Sequence, residues 1–75
     1  MISEVKARIL KSTNEKVREK YLGIVFNCKM CDNNQFLMSS ENEYILTSIV
    51  KEYIQEDNKI ILKTLNSIYE LEIVL

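Results

Sequence analysis

Apolar and polar positions alternate most regularly at the C-terminal end of the chain. In Ile68-Tyr69-Glu70-Leu71-Glu72-Ile73-Val74-Leu75, Tyr69, Leu71, Ile73 and Leu75 share one parity while Glu70 and Glu72 share the other. That is the pattern of a strand with one face on a core and one in water. Lys59-Ile60-Ile61-Leu62-Lys63-Thr64-Leu65 is similarly rich in β-branched residues, and the polar Asn66-Ser67 between the two runs predicts a hairpin, since Asn tolerates the left-handed conformation of a two-residue loop. Glu56-Asp57-Asn58 reads as the turn before it. Val5, Ala7 and Ile9 alternate with Lys6, Arg8 and Leu10 as in a strand, although a short helix would also fit the spacing. Ser12 and Glu15 have the spacing of a capping box, Val17 and Tyr21 are four apart, and Gly23 stands where a helix would close, so the pattern predicts one helix over 13–22. Residues 22–30 then read as a strand, Asp32-Asn33-Asn34 as a turn and Gln35–Ser39 as the partner strand.

Residues 40–56 carry two incompatible signals. Leu46, Ile49, Val50, Tyr53 and Ile54 follow helical spacing, and Ser40 with Glu43 has the form of a second capping box. The composition is that of a strand: Ile45, Thr47, Ile49, Val50, Tyr53 and Ile54 are β-formers, no alanine occurs, and apolar side chains also occupy Tyr44 and Ile45, off the helical stripe.

The stretch Leu46-Thr47-Ser48-Ile49-Val50-Lys51-Glu52-Tyr53, followed after a short acidic turn by Lys63-Thr64-Leu65-Asn66-Ser67-Ile68-Tyr69-Glu70-Leu71, resembles small β-rich proteins of low-GC bacteria, their phages and mobile elements. In these a T-S-x-V strand precedes a T-x-N-S-x-Y-x-L hairpin. The resemblance spans residues 44–72. It implies a small antiparallel sheet or barrel and brings no chemistry with it. With it, the expected fold is mainly β within the α+β class, a single domain over 1–75 of about five strands and one short helix. The alternative is an α+β fold in which residues 40–56 are helical.

Composition changes the picture chiefly by exclusion. The chain has 75 residues, 47% of them hydrophobic, one glycine, and no proline, tryptophan or histidine. Without histidine the common catalytic triads are out of reach, and a single glycine leaves no glycine-rich phosphate loop, so we expect no enzyme. Apolar runs fall far short of a membrane span. Charge within Met1-Ile2-Ser3-Glu4-Val5-Lys6 interrupts what a signal peptide would need, and the two cysteines are too few for a disulfide scaffold, so the expected location is the cytoplasm, of a host cell if the protein is phage-encoded. The net charge of −1 is unevenly spread: residues 1–31 hold seven basic and three acidic side chains, residues 32–75 three basic and eight acidic.

Candidate chemistry is sparse. Cys28-Lys29-Met30-Cys31 reads first as two unremarkable thiols behaving as small hydrophobes, so no cofactor is expected. The alternative is half of a tetrahedral zinc site, which a homodimer would complete by placing two pairs at its symmetry axis, and a redox role is the third reading, for which the strand-like Ile24-Val25-Phe26 leading into the motif lacks the usual helix. Glu70 and Glu72 share a strand face, as period-two spacing on a wet face produces without any catalytic purpose. Arg18, Lys20 and Tyr21 come nearest to the interleaved basic and aromatic residues of a nucleic-acid surface, without net positive charge to support it.

The resulting expectation is a non-enzymatic binding protein of phage or mobile-element origin. It would occlude a host protein, in an anti-defence role like that of an anti-CRISPR protein, or sequester a small signalling nucleotide. The alternative is a small nucleic-acid-binding barrel serving transcription or replication. Self-association is expected on physical grounds, because a core this small rarely supplies more than roughly 3–5 kcal/mol and apolar side chains occupy both parities between Tyr44 and Ile54. Edge pairing by the closing strand offers a second route to a homo-oligomer.

Overall fold

The computed structural model describes residues 4–74. Six strands follow one another as β1 (Val5–Ser12), β2 (Val25–Met30), β3 (Gln35–Ser39), β4 (Tyr44–Glu56), β5 (Lys59–Thr64) and β6 (Ile68–Ile73), with one helix, α1 (Glu15–Lys20), between β1 and β2. Each strand pairs antiparallel with the next, and β6 returns to pair with β1, closing the sheet into a barrel. The fold is therefore mainly β, with six strands where the sequence pattern suggested about five. Expectations for Met1–Ser3 and for an inward Leu75 lie outside the described residues.

Period-two alternation builds the interior. Ala7 and Ile9 from β1, Phe26 and Cys28 from β2, Phe36 and Met38 from β3, Ile60 and Leu62 from β5, and Tyr69 and Leu71 from β6 fill the core, and Val17 of α1 packs against it. Every strand pair brings inward residues of one strand level with those of its neighbour, as in Cys28 opposite Met38 and Ile60 opposite Leu71.

Helix α1 is shorter than the residues 13–22 the pattern suggested, and its cap differs. Asn14, not Ser12, is the N-cap: its Oδ1 accepts from Val17 N–H at 3.1 Å, while Ser12 Oγ accepts the N–H of Asn14 itself at 3.0 Å. Gly23 lies beyond the helix end at φ +82°, in the left-handed region glycine favours, and donates its N–H to Ile9 O. Residues 22–24 belong to this connection, so β2 starts only at Val25.

The helical reading of residues 40–56 is overturned: the segment is the 13-residue strand β4. Ser40 makes no helix cap. Its N–H donates to Glu43 O at 2.8 Å in the turn joining β3 to β4. The helical spacing has a geometric source. Between the pairs Leu37–Leu46 and Gln35–Ile49, β4 advances three residues for two of β3, and between Val50–Thr64 and Glu52–Lys63 it advances two for one of β5. Each irregularity shifts the side-chain parity. The residues turned to the core are Ile45, Thr47, Val50 and Tyr53, two steps of three residues after one of two. β4 bends at these points, pairing with β3 through Tyr44–Ile49 and with β5 through Val50–Glu56.

The two C-terminal turns also differ in kind. Asp57 takes φ +53° in the two-residue loop between Glu56 and Lys59. Asn66, by contrast, is not among the positive-φ residues, and the loop before β6 is held by Thr64 N–H donating to Ser67 O at 2.9 Å.

Candidate interaction surface

Large apolar side chains are exposed at several places on the outer wall of the barrel, Leu22, Ile24, Val25 and Ile68 among them, but they cluster with one another on β3 and β4. On the side formed by β1, β6 and the adjoining part of β5, charged residues face out and pair across strands: Arg8 Nη1 with Glu72 Oε1 at 3.0 Å and Lys59 Nζ with Glu70 Oε2 at 3.5 Å. Glu70 and Glu72, the carboxylate pair noted in the sequence, are thus each engaged by a cation. Lys63 Nζ lies 3.3 Å from Glu52 where β5 meets β4. In a six-strand ring β4 lies opposite β1. In the part of β4 that pairs with β3 the exposed residues are apolar: Tyr44 (69% exposed), Leu46 (47%) and Ile49, with Leu37 directly opposite Leu46 on β3. Leu65 (60% exposed) adjoins them, its N–H donating to Ile49 O at 2.9 Å. Lys29, opposite Leu37 on β2, flanks this face on one side, and Glu41 and Glu43 lie in the loop at its end. Ordinary monomer surfaces scatter large apolar residues singly, and contiguous patches mark interaction sites.

The residues that carry the resemblance meet in space, for a structural reason. Ser48 Oγ donates to Thr64 Oγ1 at 2.9 Å and accepts from Asn66 N–H at 3.1 Å. Thr64 Oγ1 in turn donates to Ser67 O and accepts from Ser67 N–H, both at 3.1 Å. Thr47 Oγ1 accepts from Phe36 N–H at 3.0 Å and donates to Ser48 O at 2.8 Å. Each hydroxyl uses its donor and its acceptor capacity within the chain, leaving little to offer a ligand. The cluster stitches the bend of β4 to the β5–β6 loop. In this chain Thr47, Ser48, Thr64 and Ser67 thus hold the bulged strand in the closed barrel.

Cys28 and Cys31 fall in different surroundings. Cys28 is in the core, 1% exposed, with Sγ 3.5 Å from Phe26 O, and burial pushes its thiol up to about 12. Cys31 lies in the turn after β2, half-buried. Among the described residues no group of three or more His, Cys, Asp or Glu side chains is arranged to hold a metal ion. A zinc shared between subunits would require Cys28 to leave the core. Arg18 of the Arg18-Lys20-Tyr21 set is occupied locally, its Nη1 donating to Thr13 O at 3.0 Å, and Tyr21 Oη donates to Glu43 Oε1 at 3.3 Å.

A concavity of about 370 Å³ sits at the β4–β5 hairpin tip, lined by Ile54, Glu56, Asp57, Asn58, Lys59 and Ile61. No helix among the described residues is long and apolar enough to cross a membrane. Comparison of the chain with protein-family models, with curated proteins and with solved structures finds no match.

The apolar face was only half visible in the sequence. Both parities of residues 44–54 are apolar in the sequence, but which of them turn outward depends on the two irregularities of β4. Leu37 and Leu65 join the face through strand register alone.

Proposed function

We propose that this protein is a non-enzymatic binding protein that occludes a partner protein through the outward face of β3 and β4. The observation that carries this reading is the apolar cluster Leu37, Tyr44, Leu46, Ile49 and Leu65, on the opposite side of the ring from the ion-paired wall. The partner it fits presents an apolar surface with a basic group toward Glu41 and Glu43 and an acidic one toward Lys29. The resemblance of residues 44–72 to proteins of phages and mobile elements supports a host protein as that partner, a defence or regulatory component met in the host cytoplasm.

The test compares the wild-type chain with Leu46→Asp, an outward position where a charge leaves the core intact, as bait in a lysate of a low-GC bacterium. A protein retained by the wild type and lost with Leu46→Asp is the expected result. No protein retained, together with nucleic-acid binding that weakens steeply as salt rises, overturns the reading in favour of a nucleic-acid-binding barrel. Calorimetric binding of a small signalling nucleotide, unaffected by Leu46→Asp, overturns it in favour of sequestration.

A further inference from the structure

Barrel closure removes one route to self-association and opens another. β6 is flanked by β5 and β1, so its edge is taken, contrary to the expectation that the closing strand would pair with a second copy. The bent strand β4 has the available edge. Its pairing with β3 ends at Ile49, where Val50 N–H donates to Asn34 O at 2.7 Å, and from Lys51 to Glu56 its only strand neighbour among the described residues is β5. The two-residue loop makes Glu56–Lys59 a hydrogen-bonded pair, so by alternation Ile54–Ile61 is hydrogen-bonded while Tyr53–Leu62 and Gln55–Ile60 are not. Tyr53 and Gln55 therefore direct their backbone N–H and C=O groups away from β5, toward the open side. No proline interrupts this edge, and Lys51, Glu52, Ile54 and Gln55 are exposed along it.

We propose that this edge pairs with the same edge of a second copy, forming a two-fold dimer with β4 antiparallel to the partner's β4. The sequence is self-complementary in one register. With the axis at Ile54, Tyr53 lies opposite the partner's Gln55, and the backbone groups of these residues satisfy each other. Ile54 then meets the partner's Ile54 at a non-hydrogen-bonded position, where cross-strand side chains come closest. Lys51 falls level with the partner's Asp57, an attractive contact repeated on both sides of the axis. Glu52 lies opposite the partner's Glu56, and Lys63, 3.3 Å from Glu52, offsets that repulsion. The partner's Ile54 arrives at the rim of the concavity lined by Ile54 and Ile61. The result is a continuous four-stranded sheet, β5-β4-β4-β5, across the dimer. This surface is separate from the Leu37–Ile49 face, so either can be disabled without the other.

Light scattering coupled to gel filtration, from tens of micromolar to about a millimolar, decides the matter. The wild type is expected to shift toward twice the monomer mass as concentration rises. Gln55→Pro removes a donor on the open edge and none from the β4–β5 ladder, and Ile54→Lys places two like charges at the axis. Each is expected to weaken dimerisation by at least about tenfold with an unchanged circular dichroism spectrum. Should the proline variant fail to fold, Ile54→Lys alone carries the comparison. A wild type that stays monomeric throughout overturns the proposal, as does a dimer that Ile54→Lys leaves intact.

Discussion

At the scale of single residues, the hydroxyl of Thr64 is the most heavily used polar atom in the structure, joined to Ser48 and to both backbone groups of Ser67. Thr64→Val keeps the shape and strands these partners in a buried setting, so we expect a loss of about 1–3 kcal/mol in urea unfolding. Cys28 lends itself to two measurements. At about pH 8 an alkylating reagent should modify Cys31 in the folded protein and Cys28 only after denaturation, which mass spectrometry resolves. Its raised value also makes stability depend on pH. Below 9.0, the thiol's ordinary value, it is protonated whether the chain is folded or not and its contribution is fully present; as pH climbs toward about 12 the unfolded chain ionises first and that contribution is lost. Tyr53 and Tyr69, raised mainly by burial, act in the same direction. The decline from about pH 9 upward should therefore be shallower in Cys28→Ala than in the wild type.

At the scale of elements, the positions of the turns were legible, but the helix cap and the conformation of Asn66 were not: Asn14 caps the helix in place of Ser12, and Asn66 lies outside the left-handed region. Asp57 and Asn34 sit at φ +53° and +66°, conformations their short polar side chains tolerate better than most. Asp57→Val should cost about 1–2 kcal/mol in thermal unfolding through left-handed strain, and Asp57→Gly should cost nothing or stabilise. Asn14→Ala should cost about 1 kcal/mol, the usual worth of an N-cap, whereas a true Ser12–Glu15 capping box would make Glu15→Ala the more damaging change. β4 was not legible as an element because two parity shifts leave inward side chains at three-residue steps, which along a sequence cannot be told from one face of a helix. The chemistry of its residues was the better guide: β-branched side chains pack well on a pleated surface whatever the register.

At the scale of the whole molecule, closure joins β1 to β6 across most of the chain, so no part of the barrel is complete without both ends. Urea unfolding followed by circular dichroism should show a single transition, and a chain ending before Ile68 should not fold at all, because β1 and β5 would each lose a neighbour. The ion pairs on the closing wall contribute little to this. Arg8 and Glu72 are each more than a third exposed, so Glu72→Gln should cost under about 1 kcal/mol.

The sequence by itself determined the strands that alternate regularly, the turns between them and the β class of the fold, because period-two burial and turn chemistry are properties of neighbouring residues. It also showed that residues 44–54 carry more apolar surface than one face of a strand can bury. Tertiary structure decided the rest. Ring closure took the edge of β6, the bend of β4 freed another, and register between distant strands placed Leu37 and Leu65 beside Leu46 and Ile49. It also put Cys28 in the core and Cys31 in a turn, since three residues along a strand and into a loop carry two like side chains to different surroundings. Which outward residues form a surface depends on pairings between strands, and no local pattern along the chain contains them.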